Sequence, residues 1–166
     1  MKKLVFIFAS AGILFFNSCI PTNSKNDIAP EMAYSGNVTL NGTAITTLGT
    51  LSVGDTLILP LALEGYYNIL TGFQVSNDTA VSKVSYPGIS ALGSLILNND
   101  TTKLSNGSLY LYLKPAGLYV ITSGLTVQYI PTKPSTTATL NFTLSSTSQY
   151  SPTTVSLSVP ANAKNK

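Results

Sequence analysis

The sequence lacks most of the residues on which site chemistry depends. It has no His, no Trp and no Arg, and its one Cys is at position 19. Without His, neither a Ser-His-Asp nor a Cys-His catalytic arrangement can form. Without His or spare Cys, a zinc site of the usual kind is excluded. One cysteine also cannot form an intrachain disulfide, so the fold must be stabilised by the burial of apolar side chains.

Charge is scarce as well. Charged residues make up 9% of the chain, against about a quarter in typical domains, and no basic patch is visible. The formal net charge is +3, but Lys2 and Lys3 lie in an N-terminal leader. The other seven of nine Lys, set against six Asp and Glu, leave about +1. We therefore predict no nucleic-acid partner.

The N-terminus has the pattern of a secretory leader. Two lysines precede an apolar run, Leu4–Phe16, which is shorter than the about 20 residues of a membrane-spanning helix. The small Ser18 stands directly before Cys19. This pattern resembles the signal of bacterial lipoproteins of the Bacteroides type. It departs from the commonest form at Phe16 and Asn17, where Leu and a small residue are usual.

The resemblance implies that residues 1–18 are removed as a signal peptide and that Cys19 carries a lipid. A membrane is then a partner through this anchor, and we predict an outer-membrane lipoprotein. Some surface-displayed lipoproteins of this type have an acidic run after the cysteine. Residues 20–27 have no such cluster, which favours the periplasmic face over the cell surface. The alternative is an ordinary cleaved leader with an unmodified cysteine.

The rest of the chain predicts a single all-β domain. Residues 19–33 are rich in Pro, Asn, Ser and Thr and predict a flexible tether. In residues 34–160, short runs of alternating apolar and polar residues are separated by turn residues, which is typical of a sandwich or barrel. We predict an antiparallel sandwich of eight to ten strands, no helix of note, and a disordered tail over residues 161–166.

Several positions carry local structural signals. Asn41-Gly42 is a two-residue hairpin signal, and Ser123-Gly124 predicts a break in a long late strand. Pro60 has no N–H for a ladder, which predicts an edge strand or a bulge there. Three alternating sets are predicted to face the core: Leu57, Leu59, Leu61 and Leu63; Ala138, Leu140, Phe142 and Leu144; and Val155, Leu157 and Val159.

A second resemblance concerns the domain itself. Residues 52–57, Ser-Val-Gly-Asp-Thr-Leu, lead from a turn into a strand, and Tyr119, Val127 and Tyr129 lie in late strands. These features resemble bacterial immunoglobulin-like domains, although the Cys–Trp–Cys spacing of immunoglobulin domains proper is absent. The resemblance implies an immunoglobulin-like sandwich, and it implies no function.

The remaining catalytic and metal-binding patterns are weak. No lysine after the leader has Ser three residues before it, which excludes a Ser-x-x-Lys pair. Asp55 and Glu64 flank one predicted strand and are about 30 Å apart at about 3.3 Å per residue, too far for a glycosidase pair. An Asp78–Asp100 pair stays open. Asn77-Asp78 and residues 98–100 could offer oxygen ligands to calcium, but such residues also form turns. We predict turns, no metal and no cofactor.

Four tyrosines are candidates for ligand stacking. Tyr66 and Tyr67 lie in a predicted loop, and Tyr110 and Tyr112 alternate with leucines in a predicted strand. Exposed tyrosines can stack on sugars or anchor a protein partner. The alternative is that tyrosine is simply favoured in half-buried strands.

Three threonines directly follow aspartate, and they are Thr56, Thr79 and Thr101. The Asp-Thr pattern resembles the O-glycosylation acceptor that Bacteroides-type bacteria use on exported proteins. The alternative is that Asp-Thr opens turns.

These observations predict a membrane-anchored cell-envelope lipoprotein that is not an enzyme and has a binding or structural role. Its partner would be an envelope protein or a glycan. The first alternative is a carbohydrate-binding lipoprotein of a polysaccharide-uptake system, and the second is an envelope hydrolase.

Overall fold

The computed structural model describes residues 28–92, 109–112, 120–150 and 152–164, with the backbone alone for 109–112 and 123. These residues form twelve strands and a short 3₁₀ helix, Ile89–Leu92. No helix in these ranges is long and apolar enough to span a membrane. The strands are β1 (Glu31–Tyr34), β2 (Thr39–Leu40), β3 (Thr43–Ala44), β4 (Leu51–Ser52), β5 (Leu57–Glu64), β6 (Leu70–Asn77), β7 (Ser82–Ser85), β8 (Leu109–Tyr112), β9 (Val120–Pro131), β10 (Thr139–Ser146), β11 (Thr153–Ser158) and β12 (Ala161–Asn162).

The all-β prediction is confirmed for the described residues. The larger sheet has the order β3-β2-β5-β9-β7, and β1 pairs with β5 on the same side as β2. The second sheet has the order β11-β10-β6-β8, and every pairing in both sheets is antiparallel. A small third sheet departs from the antiparallel prediction, because β4 and β12 run parallel.

The core follows the predicted alternation. The four leucines of β5 are at most 1% exposed, as are Leu140, Phe142 and Leu144 of β10, and Ala138 just before β10 is 4% exposed. Burial of each leucine contributes about 1.5–3 kcal/mol. One hydrophobic cluster includes residues of both large sheets, among them Leu59, Val127, Phe73 and Phe142. The two phenylalanine rings stack at 6.4 Å between centroids.

The last long strand is part of this core, as predicted. Leu157 and Val159 belong to the cluster, and Val155 packs against it. β11 pairs with β10 of the same chain, with Leu157 opposite Leu140. The strand therefore completes the sheet from within its own chain.

At Pro60 the prediction was an edge strand or a bulge, and the edge strand is wrong. It lies in β5, which has β1 and β2 on one side and β9 on the other. Ser35 N–H donates to the Pro60 carbonyl at 3.1 Å. An antiparallel pair normally makes a second bond in the opposite direction, but proline has no backbone N–H to donate it. β1 therefore ends at Tyr34, and pairing along this side of β5 resumes at Thr39.

A bulge lies nearby on the other side of β5. The ladder between β5 and β9 shifts register between Leu61 and Leu63. The extra residues on β9 include Gly124, whose φ of +82° is unfavourable for residues with a side chain. The predicted break at Ser123-Gly124 is thus a bulge within one continuous strand.

Both predicted boundaries of the domain are corrected outward. β1 begins at Glu31, and Met32 is buried, so the end of the predicted tether is part of the domain. Ala161 is 2% exposed and pairs in β12, so the predicted tail begins as a strand. Segments this short carry too little alternation to be detected from sequence.

Candidate functional site

One end of the domain holds the first described residues. The Ile28 carbonyl accepts a hydrogen bond from Asn68 Nδ2 at 3.3 Å, and the Pro30 carbonyl accepts one from Thr153 Oγ1 at 2.5 Å. Asn68 belongs to the loop between β5 and β6, and Thr153 begins β11. The start of the described chain is therefore fixed to both large sheets.

The same end includes the β10–β11 loop and the start of β9. Ile69 N–H donates to Thr147 Oγ1 at 3.0 Å, and Val120 lies opposite Glu64 in the ladder of β5 and β9. We call residues 28–31, 64–69, 120 and 147–150 the proximal end. The opposite end, where β6 leads into β7 and β9 finishes, is called the distal end.

Tyr66 is held in place at the proximal end by two glutamates. Its hydroxyl donates to Glu31 Oε2 at 2.5 Å, and its backbone N–H donates to Glu64 Oε1 at 2.8 Å. Its φ is +56°, a conformation that is uncommon for a residue other than glycine. Burial raises the pKa of the Tyr66 hydroxyl, and the bond to the Glu31 carboxylate raises it further. Tyr66, which was predicted as a possible ligand-stacking residue, thus already uses its hydroxyl within the domain.

The two glutamates are a carboxylate pair that the sequence analysis missed. Glu31 and Glu64 are direct partners across β1 and β5, which places their Cβ atoms about 4.5–5.5 Å apart. They are 33 positions apart in the sequence, so only the sheet register brings them together. Tyr66 links the two carboxylates because it donates a hydrogen bond to each, from its hydroxyl to Glu31 and from its backbone N–H to Glu64. The arrangement stabilises the loop that follows β5.

Exposed apolar side chains gather at this end. In the described part of the chain, the exposed large hydrophobic residues are Tyr67, Val120 and Tyr150, at 46%, 40% and 49%. All three belong to the proximal end as defined above. Of these three residues, only Tyr67 is among the candidates predicted from the sequence. Tyr150 stands in a polar loop, Ser-Gln-Tyr-Ser-Pro, and an aromatic residue in such a loop is a signal that could have been used.

The other two predicted tyrosines lie in β8. The backbone of Tyr110 pairs with Gln74, and that of Tyr112 pairs with Gly72. Their side chains lie outside the described part of the structure. Among the described strands, β8 lies at the edge of the second sheet, in a different sheet from the β1–β5 pairing that positions Tyr66.

The distal end is built from polar turns. Asp55 Oδ2 accepts a hydrogen bond from Ser52 N–H at 2.7 Å, and its Oδ1 accepts one from Asn41 Nδ2 at 2.9 Å. Both bonds lower the pKa of the Asp55 carboxyl, and the bond from Asn41 is the larger cause. Asp78 Oδ1 accepts from Ala80 N–H at 2.9 Å, and so Asp78 closes a turn, as predicted.

Two of the three Asp-Thr threonines are described, and both lie at the distal end. Thr56 is half-buried, and its N–H donates to Asn41 Oδ1. Thr79 is exposed in the turn that Asp78 closes. Thr101 lies outside the described residues, as do Asp100 and Cys19. Glycosylation at these threonines stays a prediction, and Thr79 is the more accessible of the two described candidates.

Charges are unevenly distributed between the two ends. The proximal end contains Glu31 and Glu64 and, among the described residues, no lysine. The described lysines are Lys83 in β7, Lys133 two residues after β9 and Lys164 two residues after β12. Within the same residues, no three acidic, Cys or His side chains form a group that could hold a metal ion.

The chain has limited similarity to known proteins. No family model and no curated protein matches the chain. A solved structure that is similar to it is the C-terminal domain of the Streptococcus pyogenes antigen I/II-family protein AspA, with 17% identity and a TM-score of 0.38. The match covers 81% of this chain and 44% of that chain, so this chain spans less than half of that structure.

Proposed function

We propose that the protein is a lipid-anchored component of a bacterial cell envelope with a non-catalytic binding or structural role. In this proposal the two large sheets pack face to face as an immunoglobulin-like sandwich. The single hydrophobic cluster that draws on both sheets supports this packing. Cys19 carries the lipid, on an outer membrane and preferentially at its periplasmic face.

The observation that carries the non-catalytic role is the use of the described carboxylates. Glu31 and Glu64 accept hydrogen bonds from Tyr66, Asp55 accepts from Ser52 and Asn41, and Asp78 accepts from Ala80. Each bond closes a turn or fixes a loop against a strand. A general acid or base instead needs a carboxyl that reaches a substrate. The structural use of these four groups favours a module that presents a surface.

Anchoring is tested on the full chain expressed in a bacterium that processes lipoproteins. We expect an intact mass that corresponds to a chain beginning at Cys19 with acyl chains added, recovered in the membrane fraction. Cys19→Ala should keep its leader or leave the membrane fraction. Ser18→Ala is the matched control, since it keeps a small residue before the cysteine and should still be acylated. An unacylated mature N-terminus would show that the proposal is wrong.

The non-catalytic role is tested separately with the purified domain. We expect no release of reducing sugar from envelope polysaccharide or peptidoglycan. If release is detected, and if Glu31→Gln abolishes it while Asp78→Asn does not, the Glu31–Glu64 pair is catalytic. The hydrolase alternative then replaces the proposal.

The second candidate is carbohydrate binding, which the exposure of Tyr67 and Tyr150 favours. Aromatic side chains that are nearly half exposed can stack on sugar rings. Affinity electrophoresis in gels that contain neutral polysaccharides is the test. Retardation that is lost in Tyr67→Ala and kept in Tyr66→Phe would support this candidate, because Tyr66 already uses its hydroxyl within the domain.

A further inference from the structure

The proximal end combines two independent features. It is where the described chain begins, at Ile28, and it is where Tyr67, Val120 and Tyr150 are exposed. Cys19 lies nine residues before Ile28, and nine residues span at most about 30 Å when fully extended. A lipid on Cys19 is therefore attached to the proximal end, which favours an orientation with this end nearer to the membrane than the distal end.

The distal end is separated from the proximal end by the length of the strands. β6 runs from Leu70 beside the proximal end to Asn77 beside the distal turn, and its eight residues measure about 26 Å. Ala80 is exposed in that distal turn. The two ends thus differ both in distance from the anchor and in exposed apolar surface.

We propose that the proximal end is a membrane contact, with Tyr67, Val120 and Tyr150 lying at the headgroup level of the bilayer that holds the anchor. Tyrosine is favoured at this level because its ring is apolar and its hydroxyl is polar. Among the described residues, the charged ones at the proximal end are Glu31 and Glu64, which favours a zwitterionic over an anionic lipid surface. This inference rests on the proposed anchoring at Cys19.

The absence of Trp from the chain makes a direct test possible. Tyr150→Trp and Ala80→Trp each introduce a single indole, one at each end. The acylated full-length proteins are reconstituted into phosphatidylcholine vesicles with or without bromine on the acyl chains. We expect brominated lipid to quench the Tyr150→Trp variant several-fold more strongly than the Ala80→Trp variant. Equal quenching of the two variants would overturn the inference.

A second variant distinguishes contact of these side chains with the bilayer from mere closeness to the lipid anchor. Adding Tyr67→Ser and Val120→Ser to Tyr150→Trp should lower the quenching, because apolar contact with the bilayer is reduced while the anchor is kept. Quenching that stays unchanged would overturn the contact. Circular dichroism of each variant establishes that the fold is retained.

Two controls keep this inference separate from its premises. Flotation of the vesicles measures anchoring alone, so protein that fails to float contradicts the proposed function. Protein that floats without selective quenching contradicts only the membrane contact. A blue shift of the Tyr150→Trp emission that grows with protein concentration in detergent would indicate a second copy as the occupant and would also overturn the inference.

Discussion

Asn41 and Asp55 connect two turns that are 14 residues apart, through a hydrogen bond of 2.9 Å from Asn41 Nδ2 to Asp55 Oδ1. Asn41 also pairs with Thr56 twice: its N–H donates to the Thr56 carbonyl, and its Oδ1 accepts from the Thr56 N–H, both at 2.8 Å. The hairpin between β2 and β3 is thereby fixed to the start of β5. One residue makes all three bonds, and its backbone has a φ of +51°, which asparagine tolerates better than most residues.

The two contributions of Asn41 can be separated by substitution. Asn41→Gly removes the side-chain hydrogen bonds but fits the positive φ, so we expect a loss of about 1–2 kcal/mol in the free energy of unfolding. Asn41→Ala loses the same bonds and adds backbone strain of about 1 kcal/mol. Urea denaturation of both variants measures the difference. Equal stabilities would contradict the strain at this position.

Asp55 should make the stability depend on pH under acidic conditions. Because its folded-state pKa is lowered, its contribution is present above the unfolded pKa of about 3.9 and is lost as the pH falls through the folded value. The difference in melting temperature between the wild type and Asp55→Asn should be largest near neutral pH and shrink below about pH 4. Asn41→Gly should flatten this dependence, since it removes the largest cause of the lowered pKa. A difference that does not change with pH would contradict this assignment.

Gly124 should not accept a side chain. A Cβ there would lie 3.3 Å from Leu92 Cδ2, and the φ is +82°. We expect Gly124→Ala to cost about 1–3 kcal/mol. In a Leu92→Ala background the steric part disappears and the backbone part stays, so the cost should be smaller. A thermal melt of Gly124→Ala that matches the wild type would contradict both parts.

The C-terminal segment should stabilise the domain up to Asn162. Residues 160–162 make at least four backbone hydrogen bonds, among them two with the segment Leu51–Val53 and two with Ser135. At about 1 kcal/mol each, a chain that stops after Val159 should lose about 4 kcal/mol. A chain that stops after Asn162 keeps these bonds and is the control. The two truncations should differ clearly in melting temperature, and identical melts would show that β12 does not contribute.

The sequence predicts those parts of the fold that depend on local patterns. The alternating leucines of β5 and the inward residues of β10 are buried as expected. Asn41-Gly42 forms the expected hairpin turn, with positive φ at both residues. Each of these signals is contained within a few neighbouring residues, so no knowledge of the sheet order is needed.

The parts that the sequence could not predict depend on distant pairing. Pro60 was expected at an edge or in a bulge, but its place inside the sheet depends on pairing with β1, which ends 26 residues earlier in the chain. The contact between Glu31 and Tyr66 joins residues 35 positions apart. Ala161 is buried because its backbone pairs with β4 on one side and with Ser135 on the other. Such relationships require the register of the sheets, which a single sequence does not encode in any local run.

The placement of lysine also decides how the domain can be degraded. Residues 26–82 and 134–163 contain no Lys and no Arg, and they include β1–β6 and β10–β12. Lys133 is followed by proline, whose ring blocks cleavage by trypsin-like enzymes, and Lys83 is held within a paired strand. Trypsin-like proteases therefore find no cleavage site in most of the core strands. Cleavage within those strands instead requires proteases that cut after residues other than Lys and Arg.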